Sequence, residues 1–219
     1  MAITRDVLRS LEDKVNPAHT ALLVIDVQND FCHQTGGLAQ RGGDMSHIQS
    51  MVPRLSEFIR SAHSAGVLVI FFRIIQSPEH NSDAWESLED EAPRLVVEGS
   101  WGADYFPGLP HDCVHLEMVK RRHSGFVGTG LDELLRARGC RTIVLGGVAT
   151  NVCVEGTARE AADRDYYVVV LEDGTGAARA DLHEMSLENV RRYLGEVVPC
   201  EAVAATWSPQ RAPTTQGGS

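Results

Sequence analysis

The chain has 219 residues, 43% of them apolar and 23% charged, which is the balance of an ordinary globular protein rather than a disordered chain. A formal charge of −10 argues against nucleic acid as the main partner. No apolar run approaches the ~18 residues a membrane helix needs, so no membrane span is expected.

The opening MAITRDVLRSLEDK is polar and lacks the apolar stretch of a signal peptide. Thr4 to Lys14 reads as a short amphipathic helix with Val7, Leu8 and Leu11 on one side. Ala21 to Ile25 is a continuous apolar run ending in Asp26, the mark of a parallel strand buried on both faces. Asn29 to Gly43 reads as a loop with two Gly-Gly pairs. From Asp44, a good N-cap residue, to Ala65, the apolar positions Ile48, Met51, Val52, Leu55, Phe58, Ile59 and Ala62 recur at helical spacing. Gly66 then stops the helix. Val67 to Phe72 is the second buried strand. Ile74 to Pro110 is a long mixed region rich in acids, Trp and Pro, the kind of segment that serves as a lid or an insertion.

Val114 to Val119 is a third strand, ending at Lys120, and Leu131 to Arg138 a helix stopped by Gly139. Thr142 to Leu145 is the fourth strand and Val152 to Arg164 the helix after it. Tyr167 to Leu171 is the fifth strand, Leu182 to Leu194 a further helix, and Val197-Val198 a short sixth strand. Strands alternating with helices predict a three-layer αβα sandwich around a mainly parallel six-stranded sheet, Rossmann-like in layout. No repeat or linker divides the chain, so residues 1–206 are expected to form one domain and 207–219, beginning at Trp207, a disordered tail.

Three groups then fall at carboxyl ends of strands, the edge where open parallel sheets carry their binding crevice. They are Asp26 after the first strand, Lys120 after the third and Cys153 after the fourth. In TIVLGGVATNVCVEG (residues 142–156), the strand breaks at Gly146-Gly147 and a helix restarts with Cys153 in its first turn. Free N–H groups and the helix dipole there stabilise a thiolate, the reactive form, and the same N–H groups can hold an oxyanion. Each residue also has a plainer reading: Cys153 as a small core residue, Asp26 as a turn cap, Lys120 as a solvated strand end. The five cysteines (Cys32, Cys113, Cys140, Cys153, Cys200) form no CxxC pair or disulfide framework, which points to a reducing cytoplasm.

The segments ALLVIDVQNDFC (residues 21–32), KRRHSGF (120–126), GGVATNVCVEGTAREAADRDY (146–166) and VVVLEDGTGA (168–177) resemble the isochorismatase-like cysteine hydrolases. Nicotinamidase, N-carbamoylsarcosine amidohydrolase, ureidoacrylate amidohydrolase and biuret hydrolase are members of that family. The resemblance runs from Ala21 to about Val198. It implies a catalytic triad of Asp26, Lys120 and Cys153, a cis peptide between Val148 and Ala149, and an oxyanion hole of the Ala149 and Cys153 N–H groups. It also implies a homo-oligomer, dimer or tetramer.

By the same resemblance Phe31 lines the pocket or anchors its loop. His123, by its position near the lysine, sets selectivity or is an exposed histidine in a basic loop. Trp101 lines the site from the long insertion or anchors that loop. Asn151, with Thr150 beside it, contacts substrate or caps the nucleophile turn. Nicotinamidases carry an Asp-x-His zinc motif after the second strand; here RIIQSPEHNSD (residues 73–83) lacks it, and His80 and Asp83 are loosely spaced. No metal and no cofactor are therefore expected. Isochorismatases proper often lack the nucleophilic cysteine, so Cys153 shifts the expectation to C–N bond cleavage in a small amide or ureide. Vinyl-ether hydrolysis, a nicotinamidase-like reaction and a non-catalytic binding module on this fold are the alternatives.

Overall fold

In the computed structural model, which describes residues 6–88 and 93–207, six strands form one sheet. They are β1 (Thr20–Ile25), β2 (Leu68–Ile74), β3 (Leu116–Lys120), β4 (Thr142–Val148), β5 (Tyr167–Gly176) and β6 (Gly195–Val198). Their order is β3-β2-β1-β4-β5-β6, and every pairing is parallel. Around them run α1 (Leu11–Lys14), α2 (Asn29–Cys32), α3 (Gly37–Gln40), α4 (Ser46–Ser64), α5 (Asp83–Glu86), α6 (Leu131–Ala137), α7 (Glu155–Asp163), α8 (Ala180–Tyr193) and α9 (Cys200–Trp207).

Parallel neighbours need crossovers, and those crossovers cover both faces of the sheet. That is why β1 and β4 are buried along their whole length. Alternate residues divide between two cores. Leu22, Val24, Val69, Phe71, Val144 and Val169 meet Ile48, Met51, Leu55, Phe58 and Ile59 of α4 and Val203 of α9. Leu23, Ile25, Ile70, Phe72, Ile143 and Val170 meet Leu131 and Leu135 of α6, Ala158 and Ala161 of α7, and Leu187 and Val190 of α8. The three-layer αβα sandwich expected from the alternation of elements is the architecture observed. From β1 the chain moves outward one way through β2 and β3, then returns to β4 on the other side of β1. The reversal between β1 and β4 opens a crevice at their carboxyl ends.

Helix α4 begins where Asp44 Oδ1 accepts the Ser46 N–H at 2.9 Å, and it ends at Gly66, whose φ of +79° suits glycine. The N-terminal helix is shorter than its periodicity suggests. Ser10 and Asp13 form a capping box that starts α1 at Leu11, while the Leu8 N–H is drawn to Tyr167 Oη at 3.0 Å. Thr4 and Arg5 lie outside the described residues.

Residues 29–43 are not one open loop, because α2 and α3 lie within them. Strands β4 and β5 run further than their apolar cores, to Val148 and Gly176. Trp207 is the last residue of α9, not the start of a disordered tail. Its Nε1–H donates to Val15 O at 2.7 Å and its ring lies 5.2 Å from that of Phe58, contacts between distant segments that no local pattern encodes. The rest of the expected tail, 208–219, lies outside the described residues. Among the described residues no helix is long and apolar enough to cross a membrane.

Candidate active site

Three strand ends deliver the three polar groups to one point. Strand β1 is flanked by β2 and β4, with Ile25 opposite both Phe72 and Gly147, so the next residue, Asp26, emerges at the crevice. Its backbone turns sharply there (φ +49°), with its N–H on Phe72 O at 3.1 Å. Lys120 closes β3 opposite Ile74 of β2. Its Nζ lies 2.7 Å from Asp26 Oδ2, both side chains are wholly buried, and Nζ also donates to Arg122 O at 3.0 Å.

Gly147 lets β4 lie hard against β1: its φ is +110°, and a Cβ would stand 2.1 Å from Ile25 O. The Val148–Ala149 peptide is cis. Thr150–Val154 then form one wide π-helical turn that feeds α7, and Cys153 on it is 5% exposed. The Cys153 thiol sits close enough to Asp26 and Lys120 for both to act on its ionisation.

Two buried side chains fasten the long 74–110 region over this point. Gln28 Oε1 accepts the Ile74 N–H at 2.9 Å, while its Nε2 donates to Ala103 O at 2.8 Å and Ile74 O at 3.1 Å. Asp30 accepts from the Gly37 N–H at 2.9 Å and the Val96 N–H at 2.6 Å. Val96 is held at φ +48°, a conformation a β-branched residue adopts only when its surroundings enforce it. Ile74, Ile75, Leu95, Val96 and Ala103 form their own apolar cluster with Phe31 and Trp85 against it. The region therefore roofs the crevice.

Under that roof is a cavity of about 260 Å³ walled by Phe31, Leu38, Arg41, Ile74, Gln76, Trp85, Leu95, Val96, His123, Ala149, Val152 and Cys153. Of the residues expected from the sequence, Phe31, His123, Ala149 and Cys153 line it, and Asp26 and Lys120 lie buried beside the thiol. Trp101 and Asn151 do not line it. Trp101 is 51% exposed and stands edge-on to His33, with ring centroids 5.0 Å apart, while its carbonyl accepts Asn29 Nδ2 at 2.8 Å, so it anchors the loop. Asn151 is partly exposed on the turn that carries Cys153. Cys32 is sealed in the core on α2, where burial holds its thiol protonated.

Burial lifts the Asp26 carboxyl above the ordinary carboxylate range, and the Lys120 ammonium only partly offsets this. Burial disfavours the Lys120 charge, yet the nearby Asp26 and Cys153 outweigh it and hold the ammonium protonated beyond its usual range. Burial, and then the charge of Asp26, push the Cys153 thiol up. The resting cysteine is thus a neutral thiol, not the dipole-stabilised thiolate the turn alone suggests, because desolvation exceeds what a helix end supplies.

With Lys120 charged, two proton arrangements leave the trio neutral: carboxylate, ammonium and thiol, or carboxylic acid, ammonium and thiolate. A thiolate beside an ionised Asp26 would leave net negative charge in a dry site. Thiolate formation is therefore tied to protonation of Asp26. His123 is kept neutral at pH 7 by burial and by Lys120.

Residues 20–202 match the family model for the isochorismatase domain. The chain belongs to the isochorismatase family. It is 34% identical over 216 residues to the ureidoacrylate amidohydrolase RutB of Methylobacterium radiotolerans, covering 91% of this chain and 84% of that protein. A cysteine hydrolase from Pseudomonas syringae pv. phaseolicola superposes with a TM-score of 0.80 at 27% identity, covering 94% of this chain and 98% of that one. The pyrazinamidase/nicotinamidase of Streptococcus mutans superposes at 0.69 with 25% identity, covering 82% and 99%.

In this isochorismatase-family chain, sequence reasoning missed Gln76, Trp85, Arg41, Leu95 and Val96 as cavity residues. For all of these but Arg41 the available signal was the 74–110 region as a whole, read as a lid or insertion; no spacing within it points at Cys153. The loosely spaced His80 sits against Ser77, with Nδ1 3.4 Å from its Oγ. Among the described residues no group of three or more His, Cys, Asp or Glu converges on a metal-sized space.

A clamp on the turn that carries Cys153 was also not legible. His183 of α8 is 4% exposed and its Nδ1 lies 2.8 Å from Thr150 Oγ1, while Ser186 Oγ donates to Thr150 O at 3.0 Å. Burial, with the neighbouring His47 and Arg191 outweighing Glu184, lowers the His183 pKa from 6.5 to about 4. A histidine depressed on folding stabilises nothing by charge at pH 7, and its unfolded form takes up protons first. Stability is therefore full above pH 6.5 and falls progressively toward about 4. Urea midpoints at pH 7, 5.5 and 4.5 are expected to decline, and His183→Gln to remove part of that decline. An identical pH slope in the variant would show that His183 is not its source.

Proposed function

We propose that this chain is a cysteine amidohydrolase that cleaves the C–N bond of a small linear amide, a ureido or carbamoyl compound, through a covalent thioester or thiocarbamate. The observation that carries this reading is the contact of Cys153, Asp26 and Lys120 beside a roofed, mostly apolar cavity. The likeness over most of the chain to an enzyme named for ureidoacrylate supports the substrate class.

In this reading Asp26 takes the thiol proton as Cys153 Sγ bonds to the carbonyl carbon. The carbonyl π pair moves to oxygen, and the Ala149 and Cys153 N–H groups receive the oxyanion, where each such donor contributes about 3–4 kcal/mol. Collapse of the tetrahedral centre breaks the C–N bond as protonated Asp26 gives its proton to the leaving nitrogen. Water, deprotonated by Asp26, then attacks the acyl carbon and returns the thiol. Lys120 stays charged throughout and keeps the trio neutral. The reading takes the chain through Trp207 as one domain that works as a homo-oligomer in the cytoplasm, a compartment that five unpaired cysteines fit.

The test is ammonia release from ureidoacrylate, biuret, N-carbamoyl amino acids, nicotinamide and maleamate, with mass spectrometry of the quenched enzyme. Ureido compounds are expected to be turned over and to leave an acyl adduct on Cys153. Nicotinamide alone releasing ammonia would favour the second reading, a nicotinamidase-like amidase, to which the likeness to the Streptococcus mutans enzyme gives support.

A further inference from the structure

Gln76, just past β2, is almost wholly buried and is one of the residues that line the cavity. Its backbone is pinned on both sides: its N–H donates to Val96 O at 2.9 Å and its carbonyl accepts from the Glu98 N–H at 2.9 Å. Its side chain is oriented as well. The Trp85 indole Nε1–H donates to Gln76 Oε1 at 2.8 Å. An indole nitrogen only donates, so the amide cannot be turned the other way, and its NH₂ is left as the outward group. Among the described residues that NH₂ has no acceptor.

Trp85 is itself braced. The Arg122 guanidinium lies over its ring at 4.7 Å, the His123 ring packs 4.9 Å away, and Ser82 Oγ accepts its backbone N–H at 3.2 Å. Because Arg122 O also accepts Lys120 Nζ, the loop that steadies the lysine steadies the tryptophan.

We propose that Gln76 selects the substrate: its amide NH₂, aimed by Trp85, donates to an acceptor oxygen on the end of the linear amide remote from the scissile bond. The inference rests on the amidohydrolase reading above and deepens it. The apolar walls Phe31, Ile74, Leu95 and Val96 hold a short flat body and offer it no side-chain hydrogen bond; Arg41 and His123 are the other polar side chains on the cavity wall besides Trp85 and Cys153. An oriented amide in such a setting discriminates strongly, because a ligand lacking the oxygen leaves a desolvated donor without a partner. Carboxylate and carbonyl termini share the required chemistry, and the experiment separates them.

Steady-state kinetics on the full chain with ureidoacrylate (carboxylate terminus), biuret (carbonyl terminus) and propylurea (no terminal oxygen) test it. Gln76→Leu is expected to lower kcat/KM for the oxygen-bearing substrates by about ten- to a hundredfold, chiefly through KM. For propylurea kcat/KM should instead rise, because the variant no longer leaves a buried donor unpaired against it, while Cys153 should still alkylate with iodoacetamide. Trp85→Phe, which keeps the ring and removes the N–H, should shift KM the same way by less. Gln76→Glu should be worse for ureidoacrylate than for biuret if the carboxylate is the group held, and equally poor for both if any oxygen is. Unchanged KM values in Gln76→Leu, or an equal loss on all three substrates, would overturn the inference while leaving the amidohydrolase reading intact. Ammonia from none of the three with the parent enzyme would remove that reading, and the inference with it.

Discussion

Cys153→Ala is expected to abolish ammonia release from a ureido substrate, by roughly 10⁴-fold or more, while the protein stays folded. The loss should be this large because the sulfur forms the bond, and neither the oxyanion donors nor Asp26 can replace an acyl acceptor. Cys153→Ser should be nearly as inactive. An alcohol is a far weaker acid than a thiol, and Asp26, though raised by burial, remains a weak base for it. Folding should persist because the change removes a single atom from a turn otherwise held by Thr150, His183 and Ser186. The adduct seen by mass spectrometry should vanish with the activity. Vinyl-ether hydrolysis needs no acyl-enzyme, so a Cys153→Ala variant with its turnover retained would replace the amidohydrolase reading with that one. In the parent, activity should fall on acidification through a pKa above 3.8, since Asp26 must be ionised to take the thiol proton.

Lys120→Met is expected to be both inactive and markedly less stable, by about 3–5 kcal/mol at pH 8. The ammonium is the buried partner 2.7 Å from a buried carboxylate, and an apolar replacement leaves that charge without compensation. The sign of the pH dependence follows from Asp26. Its folded pKa already lies above the unfolded value through burial, and removal of Lys120, which lowers it, raises it further. A carboxyl raised on folding stabilises the protein below its unfolded pKa and loses that contribution as pH rises through the folded one. Relative to the parent at each pH, Lys120→Met should thus be nearest normal at pH 5 and weakest at pH 8. Asp26→Asn combined with Lys120→Met removes both charges and should recover most of the stability without the activity. Urea denaturation at the two pH values measures this. A loss independent of pH, or a double variant no better than the single, would mean that packing of the lysine stem and not charge pairing dominates.

Much of this architecture follows from local pattern. The unbroken runs at Ala21–Ile25 and Ile143–Leu145 mark strands covered on both faces, and the spacing of Ile48, Met51, Leu55 and Ile59 marks one buried helix face. Asp26, Lys120 and Cys153 were placed at strand ends by the same pattern, and parallel strands bring their carboxyl ends to one edge. Local signals misled where distant contacts compete with them. The N-terminal segment reads as a longer helix, but Ser10 and Asp13 start it late while Leu8 is bonded to Tyr167. Trp207 reads as the start of a polar tail, but its indole is taken by Val15 and Phe58.

The sequence by itself determined the strand-and-helix alternation, the three polar groups at the crevice edge and the glycine-marked turn carrying the sulfur, because each depends on residues a few positions apart. Tertiary structure alone decided which side chains face the substrate space and which protons the site holds at rest. Gln76 and Trp85 belong to that space because Asp30 and Gln28 fold a long segment back over β1. The resting thiol is neutral because burial, a property of the whole packed domain, outweighs the local pull of a helix end.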